Sequence, residues 1–211
     1  MQVSAEKVFP GHLKKLEKLL WEWTYLNRKM IKFWDGKDCP WWYNERASIS
    51  TLAGAVWNAG GIALEEYSSR KRKDRRNALG RCDLYFSIGN KKYVAEAKQC
   101  WLNAGSRTQD MELNVRKCLG EACEDSKQNR SEHQGGETLI GIAFIVPRIP
   151  PSDLENEVVG ERIKAVQDAL TGIAGNECAL AWIFPRDSRD ITADDDGYIY
   201  PGTAVLIKQA R

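Results

Sequence analysis

Two short apolar runs separated by a tight turn constrain the fold of this chain more than any other feature of its sequence. They span residues 81–86 and 93–98, and they place Asp83, Glu96 and Lys98 among residues typical of buried β-strands. Buried charges are unfavourable unless another charge or a metal ion compensates them. The two runs therefore predict a β-hairpin that carries a charged site.

The turn between the runs predicts which residues face each other. Gly89-Asn90 is a two-residue hairpin signal, with glycine at the position that requires a positive φ. Counting outward from this turn places Asp83 opposite Glu96 and Arg81 opposite Lys98. Opposed residues on one face of a sheet have Cβ atoms roughly 4.5–5.5 Å apart. We therefore expect the two carboxylates to be close neighbours.

Strand alternation separates the charged residues from the apolar ones, with Asp83, Glu96 and Lys98 on one face. The residues expected on the other face are Cys82, Leu84, Phe86, Ile88, Tyr93, Ala95 and Ala97. Facing carboxylates repel each other, and a bound Mg²⁺ (or Mn²⁺) would remove that conflict. The pattern thus predicts a metal site suited to phosphodiester hydrolysis. Two alternatives are a solvated polar face and acids buried in ion pairs with Arg81 and Lys98.

A third carboxylate is expected from the helix that precedes the hairpin. Asn44 is a preferred N-cap residue for a helix that begins at Glu45 and ends before Gly60-Gly61. Glu45 continues the buried stripe of this helix, so it is a candidate third acid. If the helix instead ran through the glycines, Glu65 or Glu66 would take this role, although two adjacent glycines disfavour such an extension.

The densest run of positive charge leads into the strand that carries Asp83. It contains Arg70, Lys71, Arg72, Lys73, Arg75 and Arg76. We expect this run to form a loop at the mouth of the site, where it would hold phosphates and supply sequence-independent affinity for nucleic acid. The alternative is a charge run that is simply solvated.

The rest of the sequence predicts an α/β fold with a mixed central β-sheet flanked by helices. Apolar residues recur with a helical period in three further segments, residues 11–33, 107–128 and 154–170. Continuous apolar runs predict two buried strands, residues 139–146 and 178–184. We expect residues 44–211 to form the main domain and residues 1–43 an N-terminal helical extension. Residues 100–105 are read as a loop in which Trp101 packs.

Composition narrows the classes of protein to consider. Lys and Arg number 31 against 29 Asp and Glu, so the net charge of +2 does not by itself indicate a nucleic-acid partner. The six cysteines form no Cys-x-x-Cys pair and only two histidines accompany them, so we expect reduced thiols and no zinc site. No signal peptide and no apolar stretch of about 18 residues is evident, so we expect a cytoplasmic protein that does not enter a membrane.

The order Asp83, then Glu96-Ala97-Lys98 at the end of a strand, resembles the motif of the PD-(D/E)xK nuclease superfamily. Cys82 stands where the full motif has proline. The order of helix, glycine, strand, Asp and Glu-x-Lys is similar to that of archaeal Holliday-junction resolvases. The resemblance implies a restriction-endonuclease-like core and a Mg²⁺-dependent nuclease.

The resemblance also implies a role for each residue of the motif. The Mg²⁺ ligands that it implies are the carboxylates of Asp83, Glu96 and Glu45 and the backbone carbonyl of Ala97. Lys98 would orient the attacking water and stabilise charge on the phosphate, assisted by Gln99, which would also contact the nucleic acid. DNA is the expected partner, while RNA and a homodimer remain open. The alternative function is a catalytically inactive nucleic-acid-binding or protein-interaction module on the same fold.

Overall fold

The structure is a computed structural model that describes residues 5–73, 76–131, 136–153, 156–188 and 197–211. These residues contain four α-helices, namely α1 (Glu17–Phe33), α2 (Glu45–Asn58), α3 (Thr108–Lys127) and α4 (Asn156–Ala174). They also contain seven strands, namely β1 (Glu6–Phe9), β2 (Ile62–Lys73), β3 (Arg76–Ile88), β4 (Lys91–Asn103), β5 (Glu137–Arg148), β6 (Cys178–Ile183) and β7 (Thr203–Gln209).

The strands form one mixed sheet in the order β1-β6-β7-β5-β4-β3-β2. Strands β4 and β5 run parallel, and every other neighbouring pair in this order is antiparallel. A parallel pair requires a crossover connection, and α3 provides it. The predicted α/β class, a mixed central sheet flanked by helices, is confirmed.

Helices cover both faces of the sheet, which gives three layers. One hydrophobic cluster joins α1 and α2 to the face that carries Leu84, Phe86 and Ala95. A second cluster joins α3 and α4 to the face that carries Ala143 and Ile145. Strand β5 lies in the middle of the sheet and is buried on both faces, as predicted. None of the described helices combines the length and the apolar composition that crossing a membrane requires.

The predicted hairpin is confirmed in its turn and its register. Its glycine has a φ of +57°, the left-handed conformation that the turn requires. Strands β3 and β4 pair Ile88 with Lys91 at the turn and Leu84 with Ala95 at the far end. The described ladder stops at that last pair, immediately before the two acids of the predicted site.

The basic run is not the loop that the sequence predicts. Strand β2 continues to Lys73, and β3 begins at Arg76, so the two strands form a long antiparallel ribbon. Pairing between the strands runs up to Lys73 and Arg76. The described residues of the basic run, Arg70, Lys71, Arg72, Lys73 and Arg76, therefore belong to strands.

Strands β4 and β5 are both longer than the sequence indicates. β4 continues through the predicted loop at residues 100–105 as far as Asn103, because the parallel strand β5 pairs with it up to Arg148. Pro147 does not end β5, although the sequence predicts that it should. It lies beyond Ile145, the last residue of β5 that pairs with β7, so its missing N–H does not interrupt that ladder.

The described part of the predicted N-terminal extension, residues 5–43, contributes to the same sheet and core as the rest of the described chain. Strand β1, which the sequence did not indicate, forms the edge of the sheet beside β6. Helix α1 packs through Leu20 and Trp23 into the cluster that contains α2. The helix predicted from residue 11 begins only at Glu17, after a short 3-10 turn at Lys14–Leu16.

Close packing of α3 on the sheet predicts that Gly141→Ala destabilises the fold. A Cβ at Gly141 would lie 2.6 Å from the backbone nitrogen of Cys123 on α3. Overpacking of this kind costs about 1–3 kcal/mol, and we expect a loss of that size in the free energy of unfolding in urea. Gly120 on α3 is the matched control, because an added Cβ there meets nothing within 4 Å. Gly120→Ala should be neutral or stabilising, and equal losses in both variants would contradict this account.

Candidate functional site

Asp83 lies where β3 and β4 separate. Beyond the end of the β3–β4 ladder, the Asp83 carboxylate accepts a hydrogen bond from the backbone N–H of Ala97 at 2.8 Å. The predicted pair of Asp83 with Glu96 is therefore not part of the ladder. This hydrogen bond fixes the position of the carboxylate against β4.

Glu45 lies in the first turn of α2 and connects that helix to β4. The predicted N-cap is confirmed, since the Asn44 side chain accepts a hydrogen bond from the backbone N–H of Ala47. One carboxylate oxygen of Glu45 accepts a hydrogen bond from the backbone N–H of Gln99 at 3.0 Å. Ser48, one turn further along α2, donates to the Gln99 side chain at 3.2 Å. Glu45 is thereby held beside the strand that carries the Glu-x-Lys motif.

The pKa of Glu45 is raised above its ordinary value by two effects. Burial raises the pKa of Glu45, and the charge of Asp83 raises it further. The hydrogen bond from Gln99 and the charge of Lys98 act in the opposite direction without cancelling the rise. Glu45 and Asp83 therefore lie close enough to repel each other.

Lys98 faces α3, on the opposite side of β4 from Gln99. Its ammonium contacts the Asp125 carboxylate at 2.7 Å, and both side chains are about one-third exposed. Burial alone would lower the pKa of Lys98, but Asp125, Glu45 and Asp83 together raise it above its usual value. Lys98 is therefore a cation at neutral pH and lies within the field of both acids. It does not face Arg81, which pairs in the sheet with β2.

Glu96 is held in a buried hydrogen-bond chain on the α3 side of the sheet. Its side chain is only 3% exposed, and Oε1 accepts a hydrogen bond from the Asn129 amide at 2.7 Å. The Asn129 carbonyl oxygen in turn accepts from the Ser69 hydroxyl on β2 at 3.2 Å. This chain of contacts connects the predicted metal ligand to the base of the β2–β3 ribbon.

The alternative third acids do not lie on a helix. Helix α2 ends at Asn58, and both Glu65 and Glu66 lie on β2, so a helical extension through the glycines is wrong. Glu65 accepts a hydrogen bond from Ser50. Glu66 has a φ of +51° and forms ion pairs with Arg46 and Arg81, and the hydrogen bond from Arg81 lowers its pKa. The arginines thus neutralise Glu66 beside the site.

The predicted phosphate contacts are described only in part. Arg75 lies outside the described residues. The backbones of Arg70, Lys71, Arg72, Lys73 and Arg76 belong to the ribbon, and their side chains lie outside the description. Gln99 is described, and its amide also donates to the backbone carbonyl of Tyr43 at 3.4 Å. Gln99 therefore positions α2 against β4.

The donor atoms of this site match the preferences of Mg²⁺ only in part. Glu45 and Asp83 offer carboxylate oxygens. Burial and then the charge of Asp83 raise the pKa of Glu45, and a divalent cation would relieve the repulsion between the two acids. Within the described part of the chain, no three acidic, histidine or cysteine side chains are grouped as a metal site. Glu96, the third predicted carboxylate, is instead hydrogen-bonded to Asn129. The site thus offers the type of ligand atom that Mg²⁺ prefers, but its three predicted carboxylates are not gathered around one point.

Sequence reasoning missed Asp125 and Asn129, which hold Lys98 and Glu96. A signal for the second was present in the buried stripe of α3, which runs through Met111, Val115 and Ala122. The stripe continues with the polar residues Ser126 and Asn129, which are 0% and 1% exposed. Buried polar groups require hydrogen-bond partners, so this end of the stripe indicated a polar contact with the sheet.

Comparisons with protein-family models, with curated proteins and with solved structures found no match for this chain. The resemblance to the PD-(D/E)xK superfamily therefore stays a prediction that rests on the motif, the order of elements and the contacts described above.

A cavity of about 720 Å³ lies away from these acids, between α3, the loop that precedes β6 and the C-terminal residues. Its lining includes Lys127 and Lys208, which form ion pairs with Glu124 and Glu177. None of the predicted site residues lines it. The cavity therefore does not contribute to the candidate site.

The raised pKa of Glu45 predicts a pH-dependent gain in stability for Glu45→Gln. Because the folded-state pKa lies above the unfolded one, Glu45 contributes stability that is present below the unfolded value and is lost as pH rises through the folded value. Gln cannot ionise, so the melting temperature of the variant should exceed that of the parent at neutral pH and approach it near pH 4. Glu17→Gln, in the exposed first turn of α1, is the control for helix-dipole effects. A gain that does not depend on pH, or the same profile in both variants, would contradict this assignment.

Proposed function

We propose that this chain is a divalent-metal-dependent nuclease with a restriction-endonuclease-like core, and that it acts on DNA as an endonuclease. The observation that carries the proposal is the convergence of Glu45, Asp83 and Lys98, which come from α2, β3 and β4. The charges of Asp83 and Lys98 act on the pKa of Glu45, and those of Asp83 and Glu45 raise the pKa of Lys98. Perturbed titratable groups brought together from separate elements are typical of catalytic sites.

The order of elements supports the finer description of the fold. Helix α2 is followed by strands β2, β3 and β4, then by the crossover helix α3 and the parallel strand β5. The acids and the lysine lie where β3 and β4 diverge. This arrangement agrees with the order of elements that the sequence motif implies. Agreement between the motif and the architecture supports the proposal more than either does alone.

The carboxylates of Asp83, Glu45 and Glu96, with the backbone carbonyl of Ala97, are the proposed holders of Mg²⁺ or Mn²⁺. Glu96 would join this set in exchange for its hydrogen bond from Asn129. When bound, such an ion polarises a phosphoryl oxygen and lowers the pKa of bound water. The hydrogen bond from Ala97 to Asp83 and that from Gln99 to Glu45 would hold two of the carboxylates in place.

Lys98 would act as a cation. Its raised pKa makes it a poor general base at neutral pH, because the protonated amine has no free lone pair with which to accept a proton. Its ammonium can instead donate hydrogen bonds to the attacking water and to the phosphate oxygens, on which negative charge develops. Asp125 would hold the side chain ready on the α3 side of the site.

The β2–β3 ribbon is the proposed contact for the phosphate backbone. Its basic residues lie on strands that lead directly into Asp83, and Ser69 at its base contacts the Glu96 chain through Asn129. Contacts to phosphates position a nucleic acid without reading its sequence.

A second candidate function is a nucleic-acid-binding module that does not hydrolyse its ligand. The engagement of Glu96 with Asn129 favours it, because only two of the three carboxylates then remain for a metal ion. The retention of Asp83, Glu96 and Lys98 together favours the nuclease.

Removal of the ammonium should abolish hydrolysis. We expect Lys98→Ala to lower Mg²⁺-dependent cleavage by about 100-fold or more, the usual loss when an electrostatic stabiliser is removed. The assay follows supercoiled plasmid, single strands, four-way junctions and RNA on gels. Lys92→Ala is the matched control, since this exposed lysine lies near the opposite end of β4. Full cleavage activity of Lys98→Ala would contradict the proposed function.

Metal binding should stabilise the folded protein. Because an ion that binds only the folded state raises its stability, we expect millimolar Mg²⁺ or Mn²⁺ to raise the melting temperature of the parent and to leave that of Asp83→Asn nearly unchanged. Asp110→Asn, at an exposed ion pair in the first turn of α3, should keep the response of the parent. Equal responses of the parent and Asp83→Asn, or no response of either, would argue for the binding module instead.

A further inference from the structure

Two exposed aromatic rings lie beside the site. Tyr43 is 55% exposed and Trp101 is 43% exposed. Tyr43 closely precedes Glu45 in the chain, and its backbone carbonyl accepts the hydrogen bond from Gln99. Trp101 follows Gln99 on the same face of β4, because alternate residues of a strand share a face. Trp101 therefore borders the contact between Glu45 and Gln99. The Tyr43 backbone contacts Gln99, and its hydroxyl donates a hydrogen bond to Asp38 at 2.7 Å.

The contacts of Trp101 leave much of its ring uncovered. Its only described ring partner is Tyr200, with centroids 5.6 Å apart and planes at 73°. An edge-to-face contact of this kind covers at most one face of the indole. The Tyr200 backbone carbonyl accepts a hydrogen bond from the Trp41 indole N–H at 3.1 Å, so this support is itself anchored. Trp101 thus packs as the sequence predicts, but it remains open to a ligand.

A basic group accompanies these rings. Arg148 pairs with Asn103 at the end of β4, and its guanidinium lies 5.4 Å from the centroid of the Tyr198 ring. Arg148 is exposed, so it can contact a phosphate. Aromatic rings beside a cation are the combination that single-stranded nucleic-acid sites use.

At about 3.3 Å per residue, Trp101 lies roughly 7 Å beyond Gln99 on the same face of β4. Lys98 lies on the opposite face, against α3. Within a duplex, base faces are covered by their stacked neighbours, so only an unpaired base can offer its face to the ring.

We propose that Trp101 and Tyr43 stack on unpaired bases, so that the substrate of this site is a single-stranded or locally unpaired segment of nucleic acid. This inference rests on the proposed function and names its substrate class. Exposure alone does not carry it, since Trp57 is 56% exposed and lies at the far end of α2, about 18 Å from Glu45 along the helix axis. The inference depends on the position of Trp101 next to Gln99 on β4 and of Tyr43 next to the start of α2.

The test measures binding separately from cleavage. A fluorescein-labelled 20-mer of mixed sequence is titrated as single-stranded DNA, as the same sequence in RNA and as duplex DNA, at a fixed salt concentration of about 0.1 M. The protein carries Lys98→Ala, so that the probe stays intact, and fluorescence anisotropy gives each dissociation constant. We expect both single strands to bind more tightly than the duplex. The tighter of the two single strands shows whether the site prefers DNA or RNA.

Removal of either ring should weaken single-strand binding selectively. We expect Trp101→Ala and Tyr43→Ala each to weaken it by about tenfold, as loss of one stacked base does, and to change duplex binding by less than about twofold. Trp101→Phe should retain most of the affinity, and Trp57→Ala should retain all of it. Melting temperatures confirm that each variant is folded.

The outcomes separate this inference from the proposed function. If Trp101→Ala binds single strands as the Lys98→Ala parent does, or weakens all three probes equally, the stacking role is overturned even where the wild-type protein cleaves DNA. If the rings matter for single strands but the wild-type protein cleaves nothing with Mg²⁺, the stacking role stands and hydrolysis fails. Absence of binding to every probe overturns both.

Discussion

The hydrogen bond from the backbone of Ala97 to the carboxylate of Asp83 is the interaction on which the candidate site depends. It lies where β3 and β4 stop pairing, so a side chain takes over the role of the ladder. The separation of the strands makes room beside Lys98 and exposes the end of the motif to α2 and α3. The backbone donor also fixes the position of the half-buried Asp83 carboxylate.

The other charges around this point have protein partners. Asn129 contacts Glu96, Asp125 contacts Lys98, and two arginines neutralise Glu66. Glu45 accepts a hydrogen bond from the backbone N–H of Gln99, while burial and then the charge of Asp83 raise its pKa. A divalent cation would offset the repulsion between these two acids. The burial and the repulsion that raise this pKa also lower the stability of the fold at neutral pH.

Sequence patterns predicted the parts of this structure that depend on short-range rules. The Gly89-Asn90 turn set the register of β3 and β4, and Asn44 set the start of α2, because turn and cap chemistry act over a few residues. The extension of β4 to Asn103 was missed, since it depends on pairing with β5, which lies far along the chain. The ribbon was missed for a different reason: its strands are neighbours in the chain, but its charged residues lack the apolar alternation by which a strand is recognised.

For the site, the sequence by itself determined which residues carry charge on which face of the hairpin, because strand alternation follows from backbone geometry alone. Only the tertiary structure decided how those charges are used. The packing of α3 placed Asp125 on Lys98 and Asn129 on Glu96, and the packing of α2 placed Glu45 on Gln99. It also left Trp101 partly open beside the site. Such contacts depend on helices that cross the sheet from distant parts of the chain, and no local pattern encodes where they meet it.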